Sequence, residues 1–353
     1  MSADTPKSGR SQYLSSMELR TSPHVGKGLP VPVIMRHVVY ALLPTTAMSV
    51  FAFGWSALLL TGVTTLAALL TERIACRVAG HRSTLGDWSA AITGLLLGLT
   101  LPPGFPLWMG AAGGVVAIAL GKSLFGGLGF NVFNPALVGR AFLQAAFPVA
   151  ITTWDAPFAP SRFSETLSST LAWPFLQSPV HAATGATPLA AFKFGGQLTP
   201  DLELLLGTVA GSAGETSALL IALGGLYLAA RRMLDWRIPV GILGTVALLS
   251  GVMHGLNPAY PPAGFMVLSG GLMLGAVFMA TDMVTSPVTP LGVWLFTVLV
   301  GGLTVVIRVW GGLPEGVMYA ILLGNASTPL LNLFTQPRVY GTGRDVKKPG
   351  GTP

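Results

Sequence analysis

Apolar residues run along this chain in ten blocks rather than in two-residue alternation, and a helix that crosses lipid needs about 20 of them in a row. The blocks fall at about 35–53, 56–75, 88–101, 108–120, 135–147, 216–230, 238–253, 264–280, 291–309 and 316–332. Turn residues separate them, most plainly at Leu101-Pro102-Pro103-Gly104-Phe105-Pro106, where Pro-Pro-Gly makes a tight reversal. No comparable block lies in 149–215; the short apolar run at 204–206 reads as an interfacial or re-entrant piece. The pattern predicts an all-α integral membrane protein of about ten transmembrane helices. Its divisions are a cytoplasmic tail at 1–34, five helices at 35–148, an external segment at 149–215, five helices at 216–332 and a cytoplasmic tail at 333–353.

Composition agrees with this reading. Hydrophobic residues make up 51% and charged residues 9%, with a mean hydropathy of +0.66, whereas soluble domains carry about a quarter charged residues. The 45 glycines suit helices whose backbones approach closely in lipid.

The net charge of +7 comes from small groups at block ends, not from a patch interleaved with aromatics, so nucleic acid is not the expected partner. Arg73, Arg77 and Arg82, then Arg231, Arg232 and Arg237, then Arg338, Arg344, Lys347 and Lys348 all fall on one side of a ten-helix arrangement, together with Lys7, Arg10, Arg20 and Lys27. By the positive-inside rule that side is the cytoplasm. The first 30 or so residues lack the apolar stretch of a signal peptide, so both termini are expected inside, in a bacterial inner membrane. The single Cys76 excludes an internal disulfide and any all-cysteine cluster. His24, His37, His81, His181 and His254 lie in tails, loops or at helix ends, which argues against a haem held between two of them; no metal site is expected.

The two halves echo one another. Gly126-Gly127-Leu128 followed by Gly139-Arg140-Ala141 is answered at the same spacing by Gly311-Gly312-Leu313 and Gly324-Asn325-Ala326. Five is odd, so the second copy must be inverted in the membrane, an architecture common among transport folds.

Several residues carry candidate chemistry. In Thr184-Gly185-Ala186-Thr187-Pro188-Leu189, small residues leave the backbone accessible and Pro188 biases Thr187 towards an extended conformation. The Thr187 hydroxyl is thus expected to be exposed and open to modification by another enzyme, although the tetrapeptide alone reads equally as a turn. Asp282 and Glu315 are the acids placed in or at the edge of the membrane, where they mark a cation or proton path or serve as helix-end or interfacial groups. Asn134 before Pro135 reads as a helix cap. Arg140 and Arg308 on apolar helices are expected to snorkel to the interface or to pair with a flavin or lipid phosphate. Gly121-Lys122-Ser123 is no phosphate loop, because Val116 stands where the first glycine is required and no strand precedes it.

Gly121-Lys122-Ser123-Leu124-Phe125-Gly126-Gly127-Leu128-Gly129, Phe133-Asn134-Pro135-Ala136-Leu137, Thr184-Gly185-Ala186-Thr187-Pro188-Leu189, Phe278-Met279-Ala280-Thr281-Asp282 and Pro314-Glu315-Gly316-Val317 stand in this order. Together they resemble the family formed by the B subunit of the sodium-translocating NADH:quinone reductase and the D subunit of the Rnf electron-transport complex, over nearly the whole chain. Both branches stay open. The Glu315 region is similar to the Rnf D subunit, while Arg140-Ala141-Phe142-Leu143 and Phe278-Met279 are similar to the reductase B subunit.

The resemblance implies FMN joined through a phosphoester to Thr187 by a separate flavin transferase, with Thr184, Gly185, Ala186 and Pro188 as the surrounding motif. It also implies a quinone or a second, non-covalent flavin (riboflavin or FMN) near Gly126, Gly127, Asn134 and Arg140. The partners it implies are iron–sulfur and flavin subunits of a complex that couples electron flow to Na⁺ or H⁺ movement. Two positions depart from the pattern: His181 stands where the family has Asp, and Met283 where it has Pro. Two other classes fit the helices without the motif, a flavin-free small-solute channel or transporter and a structural scaffold for redox partners.

Overall fold

The computed structural model describes residues 30–80, 83–164, 166–167, 169–174, 185–215 and 217–337. Most of both tails, with His24, His81, Arg82, His181 and Thr184, lie outside the described residues. The first set of helices is α1 (Val31–Phe53), α2 (Trp55–Val78), α3 (Ser89–Leu99), α4 (Leu107–Gly121) and α5 (Pro135–Ala146). Two short helices follow, α6 (Pro188–Gly195) and α7 (Asp201–Leu206). The second set is α8 (Ala218–Ala230), α9 (Arg237–Leu256), α10 (Ala263–Leu268), α11 (Pro290–Trp310) and α12 (Val317–Thr335).

Each apolar block is helical, nine of them as one helix and the block at 264–280 in pieces, because a backbone in lipid must satisfy its polar groups internally. Six helices among the described residues are long and apolar enough to cross a membrane. Others are shorter than the blocks suggested: the 11 residues of α3 reach roughly 16 Å at about 1.5 Å per residue, half of a hydrocarbon core. The block at 264–280 is not one helix. It breaks after α10 at Ser269-Gly270-Gly271, with Gly270 at φ +65°, and resumes as Leu272–Leu274 and a π turn at Gly275–Met279. The apolar run at 204–206 lies in α7, which packs on α8 and α10 and buries Leu204.

The sets pack alike. In the first, α2 packs on α3 and α4, and α4 on α5; in the second, α9 packs on α10 and α11, and α11 on α12. The sets join through α1 against α8 and α5 against α12, the equivalent helices of each. The second set is inverted. The starts of α1, α3 and α5 and the end of α4 surround one cavity with Lys122, whereas the starts of α10 and α12 and the end of α11 gather at the opposite end around Thr187 and Lys193.

Close backbone approach holds each set together, and at Gly94 it leaves no room for a side chain. A Cβ there would overlap Thr65 Cα and lie 2.8 Å from the Thr64 carbonyl oxygen, and one at Gly98 would lie 2.9 Å from Thr61 Cα. The α2 threonines in this seam turn their hydroxyls to carbonyls of their own helix: Thr61 to Ala57 at 2.8 Å, Thr64 to Leu60 at 3.0 Å and Thr65 to Thr61 at 2.7 Å. Gly94→Val should part α2 from α3 and cost about 1–3 kcal/mol, read as a lowered unfolding midpoint in detergent. An unchanged midpoint would contradict the packing. On the opposite face of α2, Leu66, Leu70 and Ile74 are exposed, as lipid-facing positions should be.

Candidate functional site

Proline at position 188 fixes the local chain. It has no N–H to leave unpaired, so it starts α6, and it holds the preceding residue extended. Thr187 accordingly has φ −64° and ψ 153° and caps the helix: its Oγ1 accepts a bond from Ala190 N at 3.3 Å, and its carbonyl one from Ala191 N at 2.8 Å. Gly185 N donates to the Trp154 carbonyl at 3.0 Å, and a Cβ there would meet that of Ala210 at 2.9 Å. The helix is pinned by Lys193, whose Nζ donates to the carbonyls of Arg308 at 2.9 Å, Leu313 at 3.2 Å and Gly311, at the end of α11.

Thr187 is not exposed as expected; it is 3% accessible. The capping bond folds its side chain back onto α6, and the burial of Pro188 and Leu189 draws it inward. It instead lines a cavity of about 450 Å³, with Gly185, Ala186, Trp154, Tyr319, Arg140 and Glu315 in the wall. That volume lies within the range of roughly 300–1,000 Å³ usual for cofactor pockets. The residues fit a flavin mononucleotide. Trp154 and Tyr319 offer aromatic surface to a planar ring system, and a phosphate on Thr187 Oγ1 would stand at the N-terminus of an eight-residue helix, where backbone N–H groups and the helix dipole favour an anion.

The two arginines expected to snorkel do not. Arg140 Nη2 donates to Glu315 Oε2 at 2.7 Å, the side chains 9% and 19% exposed. Arg308, 4% exposed, donates Nη2 to the Ser269 carbonyl at 2.9 Å and Nη1 to that of Met266. Arg308 thereby caps the broken end of α10, whose last carbonyls would otherwise lack partners. Glu315 Oε1 accepts from Gly271 N at 3.3 Å, on the other side of the same break. Both arginines are buried in the helix packing, where carbonyls and a carboxylate lie within hydrogen-bonding reach.

Sequence reading passed over Glu215. It lies just before α8, where its Oε2 accepts from Ser212 N at 3.3 Å and its carboxyl meets that of Glu315. Burial, then the facing Glu315, pushes Glu215 well above the usual carboxylate range. Burial would also raise Glu315, but the Arg140 guanidinium, the bond with Glu215 and Arg308 together hold it below that range. A lone acid at the foot of an apolar block, in Gly214-Glu215-Thr216, was the signal available.

At the other end, Asn134 Oδ1 caps α5, accepting from Ala136 N at 3.0 Å, and its Nδ2 donates to the Met279 carbonyl at 3.2 Å. Asn134, Asp282, Met283 and Lys122 line a cavity of about 80 Å³. Gly126 and Gly127 adopt φ +108° and +105° in the nearby loop and are not among the residues lining either cavity. The residues expected around a quinone or second flavin are thus divided: Asn134 lies at the Lys122 end, Arg140 beside Thr187. Asp282 and Glu315 likewise stand at opposite ends.

A family model described as the NQR2, RnfD, RnfE family matches residues 18–341. The chain is 42% identical over 350 residues to the D subunit of the ion-translocating oxidoreductase complex of Halorhodospira halophila, covering 93% of this chain and 96% of that one. It is 44% identical over 340 residues to the D subunit of the proton-translocating ferredoxin:NAD(+) oxidoreductase complex of Clostridium ljungdahlii, covering 92% and 96%. To the D subunit of the Na(+)-translocating ferredoxin:NAD(+) oxidoreductase complex of Acetobacterium woodii it is 39% identical over 337 residues, covering 94% and 98%.

Proposed function

The chain belongs to the NQR2, RnfD, RnfE family, and from that membership we propose that it is the D-type membrane subunit of an ion-translocating oxidoreductase complex, relaying electrons through FMN attached to Thr187. The observation that carries this reading is the placement of Thr187. Its hydroxyl caps a helix N-terminus and lines an aromatic-walled cavity of about 450 Å³. Flavin supplies one- or two-electron chemistry that no side chain here offers. The protein's part is to hold it: Thr187 tethers, Trp154 and Tyr319 flank, and Arg140 presents a positive charge.

In this reading the Thr187 end faces outward and both termini face the cytoplasm of a bacterial cell. The electron donor and acceptor sit on partner subunits, including iron–sulfur and flavin subunits, and a flavin transferase installs the group. In this reading a quinone or a second, non-covalent flavin binds at the Lys122 end near Gly126 and Gly127, where the cavity of about 80 Å³ must widen to admit it, and Asp282 and Glu315 mark the two ends of an ion path. Relatives named for protons and for sodium stand at 44% and 39% identity, a difference too small to select the ion.

The test is the intact mass of the chain after co-expression with a flavin transferase. The expected result is a gain equal to FMN less one water, located on the peptide containing Thr187. The broken helix beyond α10 also suits a solute carrier; an unmodified mass together with solute flux into vesicles would move the assignment there.

A further inference from the structure

Two carboxyl groups face each other beside the Thr187 cavity, and their surroundings treat them unequally. Glu315 is well supplied with donors: Arg140 Nη2 at 2.7 Å on Oε2 and Gly271 N at 3.3 Å on Oε1. Glu215 is not. Its Oε2 accepts from Ser212 N at 3.3 Å, and among the described residues its buried Oε1 has no hydrogen-bond donor. The chain between α10 and its continuation brings the two together. A Cβ on Gly271 would lie 3.2 Å from Glu215 Oε1, and one on Gly270 3.2 Å from both Glu315 Oε1 and Arg308 Nη2. The glycines of the break therefore do two things: they turn the helix, and they leave room for both acids.

Two carboxyl groups can hydrogen-bond to each other only if one of them carries a proton, since ionised oxygens are acceptors alone. A buried acceptor with no donor that faces a second carboxylate is unstable as two anions. The Ser212 side chain also interacts with Glu215, and among the described residues the hydroxyl of Ser269, 0% exposed, and the Nε of the buried Arg308 have no hydrogen-bond partner. The charged groups facing the pair are Arg140 from α5 and Arg308 from α11. With both acids ionised these four charges cancel, and one added proton leaves a single positive charge. A metal cation would add the same charge but would need several oxygen ligands in a site already occupied by two guanidinium groups.

We propose that Glu215 and Glu315 form a proton-binding site that holds one proton at rest, with Glu315 in the wall of the Thr187 cavity and Arg140 as the positioning residue that sets its occupancy. The proton resides on Glu215, which donates to Glu315. Arg140 reaches both the cavity and Glu315, so negative charge gained in the cavity competes with Glu315 for the guanidinium. One electron entering the cavity from a reductant is then balanced by one proton from solvent, which settles on Glu315. That linkage rests on the flavin reading, whereas the proton site does not.

The two are tested separately. In the flavin-free Thr187→Ala protein that also carries Asp282→Asn, so that Asp282 adds no signal, infrared spectroscopy at neutral pH should show one buried protonated carboxyl band that shifts in heavy water. Glu215→Gln should abolish it. Glu315→Gln should also abolish it, because Glu215 would then face two arginines and no anion, and this second variant keeps the test decisive if the first fails to fold. Arg140→Gln should double the band. No band in Thr187→Ala with Asp282→Asn, or a band surviving both glutamine variants, would overturn the site. In the flavinylated Asp282→Asn protein, reduction with dithionite should raise the signal from one protonated carboxyl to two; an unchanged signal would remove the link to cavity charge while leaving the site in place.

Discussion

Thr187→Ala should yield a chain that inserts and folds but carries no covalent flavin, while Thr187→Ser keeps it. Attachment needs a side-chain hydroxyl in the wall of the cavity, and both Thr and Ser provide one that also caps α6. Alanine removes the capping bond from Ala190 N at 3.3 Å, which costs about 1 kcal/mol. That loss is local. Proline still starts the helix, Leu189 stays buried, and Lys193 still ties α6 to the carbonyls at the end of α11. The check is ultraviolet fluorescence of the denatured protein on a gel after co-expression with a flavin transferase. A fluorescent band in wild type and Thr187→Ser but not in Thr187→Ala is the expected pattern, and fluorescence persisting in Thr187→Ala would place the attachment elsewhere. His181, outside the described residues, stands where the resemblance implies Asp. If wild type stays dark and His181→Asp becomes fluorescent, recognition by the transferase has failed rather than the site itself.

Lys122→Met should give the largest loss of stability, about 3–5 kcal/mol. Lys122 and Glu72, 3% and 2% exposed, form an ion pair of 2.7 Å where the ends of α2 and α4 meet. Lys122 also donates to Ser89 Oγ, and Thr84 Oγ1 donates to Glu72. Asp87 lies 3.9 Å from the ammonium and caps Ser89 N at 2.8 Å. Glu72 Oε2 already lacks a partner. Removing the lysine would leave a buried carboxylate with, among the described residues, a single hydroxyl donor, a much worse state than a buried pair. The double variant Lys122→Met with Glu72→Gln should recover most of the loss, since no unpaired charge remains. Unfolding midpoints in detergent for the two single variants and the double give the coupling. If the three losses add with no coupling, the pair is not what stabilises this end.

What could be read from the sequence was whatever depends on local chain chemistry. Ten apolar blocks became helices because an unpaired backbone group in lipid is too costly to leave. Asn134 caps α5 and Pro188 holds Thr187 extended because those effects act within three residues. The inverted repeat was legible from an odd helix count and a matched spacing of glycines. The break at Ser269-Gly270-Gly271 was not, because small residues inside an apolar block look the same whether they allow helix packing or end a helix. Only the left-handed φ of +65° at Gly270 and the ends it leaves for Arg308 and Glu315 decide between them.

Tertiary structure alone decided where charge goes. Arg140 and Glu315 are 175 positions apart, Lys122 and Glu72 are 50 apart, and Glu215, just before α8, meets Glu315, just before α12. Sequence showed arginines on apolar helices and suggested the interface as their destination, because the face each one occupies depends on how the helices pack. The same applies to Thr187. Its chain conformation was set by the next residue, but its burial was set by an inverted second half that brings α12 and the end of α11 over α6. Short-range preferences fix the elements. Which ionisable groups share a buried site is fixed only when the helices pack, within a set for Lys122 and Glu72 and between sets for Arg140 and Glu315, because a charge in a low-dielectric interior takes whatever partner the packing puts within hydrogen-bonding reach.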